Sequence, residues 1–237
     1  MSRKHLHVVT NSELEDWDRC HAYWGYRYAE LLRPLEEPIS IGYGDLYHEG
    51  CRAGWVAAWQ DPGLALSTRR SDAALIASLS IRQLAQVKAA ALVARCEGDD
   101  LETLTAELRE HTETAEWATR HYFEQPTTDL DLVPLAIEAT FDVPIPTRAG
   151  QGGFLRQSGK MDLVLWDRQA CQIILEDHKT TGYAVQSFEG KLALLPQPTG
   201  YLRALGVMLE RVYRDGWWPE GRHPRKGIGG GFWSHTT

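Results

Sequence analysis

Apolar positions follow a helical rhythm in the first half of this chain and a strand-like rhythm later. Leu14, Trp17, Trp24, Tyr28 and Leu31 recur at helical spacing. Ser12 and Glu15 form a capping box ahead of them. The pattern predicts an amphipathic helix from residue 13 to about 32, ended by Pro34 and Pro38. Gly42 to Gln60 reads as a second helix, with Gly44, Gly50 and Gly54 allowing close packing on a neighbour. Asp61-Pro62-Gly63 is a turn. Residues 70–96 and 100–123, rich in Ala, Leu, Glu, Gln and Arg, predict a hairpin of two long helices parted at Gly98. The strand signal starts only at Leu135, as LAIEATFDVPI, then GKMDLVLWD, then CQIILEDHK. A loop rich in Gly, Gln and Ser follows, and a last helix begins near Gln197. Beyond Gly216 the Trp-, Pro- and Gly-rich sequence predicts irregular structure. Helices first, then an antiparallel hairpin, then a helix describe an α/β or α+β domain.

The hairpin carries the candidate chemistry. Met161 to Trp166 and Cys171 to Lys179 read as strands joined by a tight turn at Asp167 to Ala170. Pairing about that turn sets Trp166 opposite Cys171 and Asp177 opposite Lys160, one diagonal step from Asp162. Diagonal neighbours lie roughly 7–8 Å apart, close enough for two carboxylates to share a cation. Alternation puts Asp177 and Lys179 on one face. The apolar character of both strands predicts a sheet buried on both sides, where acids and a lysine are costly unless paired or metal-bound. Two carboxylates hold Mg²⁺ or Mn²⁺ through hard oxygen ligands. Such an ion acidifies water and stabilises a phosphoryl transition state, and a lysine beside it can orient or deprotonate the attacking water. D-x-K alone fits equally a hairpin whose polar ends pair as Asp and Lys in solvent.

Bulk properties change this picture little. A length of 237 residues with 43% apolar residues suits one domain, residues 1–237, with a substantial core. No run of about 18 apolar residues exists to span a membrane. Met1 to Thr10 lacks the apolar stretch of a secretory signal, so a cytoplasmic location, in a bacterial or phage-infected cell, is expected. The net charge of −7 does not advertise a nucleic-acid binder, yet residues 201–237 carry +3. An acidic body binds DNA when its carboxylates surround metal ions and a basic face meets phosphates. Cys20, Cys51, Cys96 and Cys171 contain no C-x-x-C pair, which gives neither a zinc site nor a disulfide framework. Reduced, mostly buried thiols are expected.

Several motifs then line up in order. Gly159-Lys160-Met161-Asp162 followed by Glu176-Asp177-His178-Lys179-Thr180 resembles the PD-(D/E)XK nucleases, specifically their RecB-like branch. Ser12-x-Leu14-Glu15-x-Trp17-x-x-Cys20, with Arg27 after it, resembles the N-terminal helix motif of that branch. Gly42-Tyr43-Gly44-x-x-Tyr47-His48 resembles its G-x-x-x-H helix, and Gln197-Pro198-Thr199-Gly200-Tyr201 its Q-x-x-x-Y motif. The resemblance covers residues 10 to 210, with 63–130 as a helical insertion. It implies a restriction-endonuclease-like core, a central mixed sheet with a catalytic antiparallel hairpin flanked by helices. It implies His48, Asp162 and Asp177 as metal ligands, the His178 backbone carbonyl as a further one, and Lys179 as the catalytic lysine. Gln197 and Tyr201 would contact the DNA strand or position the nucleophile; packing of Tyr201 in the core is the alternative. Glu138 stands where relatives carry an acid, and its role stays open between supporting a ligand and serving a second metal. His5, His7, His21, His111 and His121 match no motif.

The resemblance thus implies a Mg²⁺- or Mn²⁺-dependent DNA nuclease, an exonuclease or structure-directed enzyme of phage or mobile-element recombination, repair or processing. Its partner is single- or double-stranded DNA, with no membrane and no readable oligomeric state. Two alternatives remain, a catalytically silent relative that binds nucleic acid or protein, and a phosphodiesterase acting on RNA. Silent relatives typically lose the lysine or an acid, and this chain keeps them. Branch members with an iron–sulfur cluster use three cysteines near the C-terminus. No cysteine follows Cys171, so no cluster is expected. Pro198 suits a helix only in its first turn.

Overall fold

A computed structural model describes residues 7–10, 13–14, 16–17, 20–29, 41–145, 155–179 and 196–214. Ser12 and Glu15 of the capping box, the expected helix end at Pro34 and Pro38, Thr180 and the loop after it, and the tail beyond 214 lie outside them. Among the described residues the elements are β1 (His7–Thr10), α1 (His21–Trp24), α2 (Tyr43–Ala58), α3 (Leu66–Arg95), α4 (Gly98–Glu124), β2 (Val133–Pro144), β3 (Leu155–Asp167), β4 (Gln172–Glu176) and α5 (Pro196–Arg214). The strands form one four-stranded sheet of order β1-β3-β2, with β4 also paired to β3. β1 runs parallel to β3 and β4 antiparallel, so the sheet is mixed, as expected. No helix among the described residues is long and apolar enough to cross a membrane.

The chain divides into two compact units. One comprises Met1–Arg33, Thr140–Lys160 and Thr181–Thr237. Here β1 departs from the expectation that helices come first. Its four residues are too short to show an alternation, and they pair with Leu155–Ser158. The helix expected over 13–32 is also broken. Cys20 adopts an extended backbone, α1 follows, and the chain passes into a π-helical turn over Gly25–Ala29. The break has a polar cause. Buried Glu13 accepts a hydrogen bond from the Trp24 indole (3.3 Å), and buried Asp16 accepts from Arg27 (3.3 Å) and the Tyr28 hydroxyl (3.0 Å). Helical periodicity counts apolar positions and misses these contacts across the break. In α5 Pro198 falls in the first turn, which needs no main-chain donor there. Arg203 donates to the Pro144 carbonyl (2.8 Å) and Gln157 (2.9 Å), so this member of the basic C-terminal cluster is engaged within the protein.

The other unit comprises Pro34–Ala139 and Met161–Thr180. Its core joins Trp55, Ala58, Ala73, Ala77, Phe123, Leu130, Leu163 and Leu165. Small residues on α2 and α3 let the helices approach closely. A Cβ on Gly50 would lie 2.6 Å from Ile81 Cδ1, and one on Gly54 would overlap the fully buried Phe123 ring. Two arginines of α3 fix the segment after α4. Buried Arg69 donates to the Ala58 carbonyl (2.8 Å) and to that of Leu130, and Arg70 to Phe123 (2.8 Å), Gln125 and Thr128 (2.7 Å). The Ala58 and Phe123 carbonyls are among those that a helix end leaves without main-chain partners. Cys51 is buried and Cys96 half-buried, but Cys20 and Cys171 are exposed, against the expectation of mostly buried thiols.

The hairpin register differs from the expected one by two residues. Trp166 pairs with Ile173 and Leu163 with Glu176, because the turn is Arg168–Cys171. Asp167 sets that turn by accepting from the main-chain N–H groups of Gln169 and Ala170 (both 2.8 Å), and Cys171 closes it at φ +53°. A shift of two preserves which face each side chain occupies. Extending the ladder one step makes Asp162, not Lys160, the residue across from Asp177.

Gly54→Ala tests the packing of α2. Alanine favours a helix by up to about 1 kcal/mol. Overpacking a buried ring costs about 1–3 kcal/mol. A net fall in melting temperature is expected by circular dichroism, and an unchanged or raised value would contradict the close approach.

Candidate functional site

Four segments of the second unit supply the site. α2 buries Leu46, Gly50, Cys51, Gly54 and Trp55, which leaves His48 at the rim of that face, half-exposed. β3 is buried continuously from Met161 to Trp166, and Asp162 lies inside that run with its side chain 8% exposed. β2 supplies Glu138. The ladder of β4 ends at Glu176, and Asp177, His178 and Lys179 follow outside any regular element.

A carboxylate in such a strand needs partners, and Asp162 has them. Its Oδ2 accepts the main-chain N–H of His178 at 2.8 Å and lies 3.4 Å from His48 Nδ1 and 4.0 Å from His178 Nδ1. Burial pushes the Asp162 pKa up, His48 opposes this, the Asp177 charge adds to it, and the His178 N–H opposes it again. The net shift is upward. His48, Asp162 and His178 each offer one ligand atom, all within 4.8 Å of one another. Asp177 pairs through Oδ2 with Lys179 Nζ at 3.0 Å. Its Oδ1 is buried and has no hydrogen-bond partner among the described residues.

Glu138 Oε1 lies 3.9 Å from His48 Nδ1. Its backbone sits at φ +53° inside β2, a left-handed conformation that costs an L-residue roughly 1–2 kcal/mol. Strain of this kind persists where the surroundings over-determine it, often beside a functional site.

Behind the acids runs a hydrogen-bonded chain that the motifs did not reveal. The Trp55 indole donates to the Tyr122 hydroxyl (3.0 Å), and that hydroxyl donates to Glu176 Oε1 (2.6 Å). His178 Nε2 lies 3.1 Å from the same oxygen. The buried His178 ring meets those of Tyr47, His48 and Tyr122 nearly edge-on, at centroid distances of 6.1, 6.1 and 5.4 Å. Burial would lower the His178 pKa, but the bond to Glu176 and the charges of Glu176, Asp162 and Asp177 outweigh it and raise it. Glu176 was legible only as the residue before the D-x-K run, and Tyr122 only as an aromatic near a helix end. The resemblance gave His178 a main-chain role; the structure also brings its ring to Asp162. Gln197 and Tyr201 belong to the first unit. Gln197 Nε2 donates to the Tyr201 hydroxyl at 2.7 Å, and buried Tyr201 meets Phe141 edge-on at 5.7 Å.

The sequence pattern of the PD-(D/E)XK nuclease superfamily matches residues 8–224. The chain belongs to that superfamily. No curated protein matches it. The mixed four-stranded sheet with its flanking helices agrees with the restriction-endonuclease-like core expected of a PD-(D/E)XK protein. The superfamily is one of nucleases that use divalent metal ions, with nucleic acid as substrate.

Two measurements probe this site without substrate. At residue 138 glycine should be more stable than alanine by about 1 kcal/mol, reversing the usual order in a strand, because only glycine is at ease at positive φ. Denaturant titration of Glu138→Gly and Glu138→Ala reads the order directly. The second concerns pH. The folded-state pKa of Asp162 is raised, so its contribution to stability is full below its unfolded value, roughly 3.9. That contribution is lost as the pH rises through the raised value. In EDTA, Asp162→Asn should therefore melt above wild type at pH 7.5, by roughly 2–4 °C per kcal/mol. The gap should narrow toward pH 4. A lower melting temperature for the variant at pH 7.5 would show that the ionised carboxylate stabilises the fold.

Proposed function

We propose that this protein is a Mg²⁺- or Mn²⁺-dependent DNA nuclease, of the exonuclease type, acting in phage or mobile-element recombination, repair or processing. The observation that supports it most is the buried Asp162 carboxylate, flanked by His48 and tied to the main chain of the D-x-K run. The residues fit a divalent cation. A buried carboxylate, an imidazole and the Oδ1 of Asp177, which has no hydrogen-bond partner among the described residues, are donors that favour one.

In this reading Asp162, Asp177 and His48 hold the cation together with the His178 carbonyl. When bound, it supplies positive charge to the scissile phosphate and acidifies water. Lys179, positioned by its ion pair with Asp177, orients the attacking water and offsets charge developing on the phosphoryl oxygens. Glu138, near His48, supports the ligand field from β2. Gln197, held by the Tyr201 hydroxyl, contacts the DNA strand.

End-labelled linear and closed circular DNA, single- and double-stranded, tests the proposal with Mg²⁺, Mn²⁺ or EDTA. A parallel RNA substrate tests the choice of nucleic acid. Cleavage of linear DNA is expected only with a divalent ion, and Asp162→Ala and Asp177→Ala should abolish it. Lys179→Ala should lose about 100-fold or more, while calorimetry still records Mn²⁺ binding. Tyr201→Phe should cut more slowly at an unchanged melting temperature. Near wild-type cleavage by either aspartate variant would sink the assignment.

A further inference from the structure

The His178 ring has a tautomer that the structure constrains. Nε2 lies 3.1 Å from Glu176 Oε1, a carboxylate oxygen already fixed by the Tyr122 hydroxyl, which the Trp55 indole fixes in turn. A carboxylate acceptor puts the ring proton on Nε2 and leaves the Nδ1 lone pair for something else. Nδ1 points into the group formed with His48 and Asp162, 4.0 Å from Asp162 Oδ2. A carboxylate behind an imidazole is the arrangement that orients metal-bound histidines and raises their basicity. Two donors on one ion, with bonds of roughly 2.1 Å, stand about 3–4.2 Å apart. The separations from Asp162 Oδ2 to the two Nδ1 atoms, 3.4 and 4.0 Å, fall in that range.

We propose that the His178 imidazole is itself a metal ligand, through Nδ1. The site is then a two-imidazole, carboxylate centre that takes Mn²⁺ in preference to Mg²⁺. Glu176 and Tyr122 are positioning residues that hold the ring. The proposal rests on the metal-dependent reading above and adds to it a donor and a metal preference. Mg²⁺ keeps to oxygen ligands and gains little from a second nitrogen, whereas first-row divalent ions accept imidazole readily.

Pulsed electron paramagnetic resonance of Mn²⁺ bound to the full chain, without DNA, counts coordinated imidazole nitrogens. Two are expected in wild type, and one each in His48→Ala and His178→Gln. Calorimetry should give Mn²⁺ binding tighter than Mg²⁺ by about 10-fold or more. His178→Gln should weaken Mn²⁺ while leaving Mg²⁺ nearly unchanged, a split that a merely structural role would not produce. Glu176→Gln and Tyr122→Phe should lower Mn²⁺ affinity by roughly 10–100-fold, with only the His178 nitrogen lost or disordered in the spectrum. A wild-type spectrum with one imidazole overturns the proposal and leaves the nuclease reading intact. A wild type that binds no Mn²⁺ at all overturns both. Because the wild-type count requires no substitution, it decides the matter even if a buried variant fails to fold.

Discussion

The hydrogen bond from the His178 main-chain N–H to Asp162 Oδ2 is the contact on which the site depends. β4 stops pairing at Glu176, and the His178 N–H lies beyond that ladder. The side chain of Asp162 is its acceptor. One bond thereby satisfies a buried N–H, gives a buried carboxylate a strong donor, and fixes Asp177, His178 and Lys179 against β3. Charge-assisted bonds of this kind are stronger than ladder bonds between neutral groups. Leaving either group unmet in a buried strand would cost about 1–3 kcal/mol.

The helices serve this contact from a distance. Gly50 and Gly54 bring α2 close enough to Ile81 and Phe123 that His48 stands beside Asp162. Arg69 and Arg70 hold the segment after α4, and with it the C-terminal turn that carries Tyr122. Tyr122 in turn fixes Glu176, one residue before the acid that matters. Residues 63–130, the helical insertion that resembles no motif, thus contribute to the surroundings of the site. Their end reaches the hydrogen-bond chain behind His178.

What the sequence disclosed divides along physical lines. The strands carrying Asp162 and Asp177 were legible because long apolar runs leave few alternatives, and α3 and α4 because they are rich in the helix formers Ala, Leu, Glu, Gln and Arg. The register was not, because a side chain chose the turn. Asp167 captures two main-chain N–H groups, and no propensity of the flanking strands encodes that choice. β1 was missed because four residues show no alternation, and the break at Cys20 because polar contacts override an apolar rhythm. Motif spacing pointed to His48, Asp162, Asp177 and Lys179, which lie in one unit, His48 beside Asp162 and Lys179 beside Asp177. The contacts that join Glu176, Tyr122 and Trp55 were invisible, since they link residues 54 and 67 positions apart through hydroxyl and indole groups.

The same arrangement is expensive to fold. Burial and the neighbouring Asp177 raise the pKa of Asp162, and His48 and the His178 N–H oppose them only in part. Glu138 sits in a strained backbone conformation, and one oxygen of Asp177 is buried without a hydrogen bond among the described residues. Each feature works against stability, and all three lie around one histidine-flanked carboxylate. A fold optimised only for stability would replace these groups with apolar residues that fit the surrounding core. Their survival in one place, on elements that the rest of the unit packs tightly, is the pattern of a site whose cost is offset elsewhere. Here the offset comes from the helical core around Trp55 and Phe123. A positively charged occupant would offset the burial of Asp162 and give the buried Asp177 oxygen a partner.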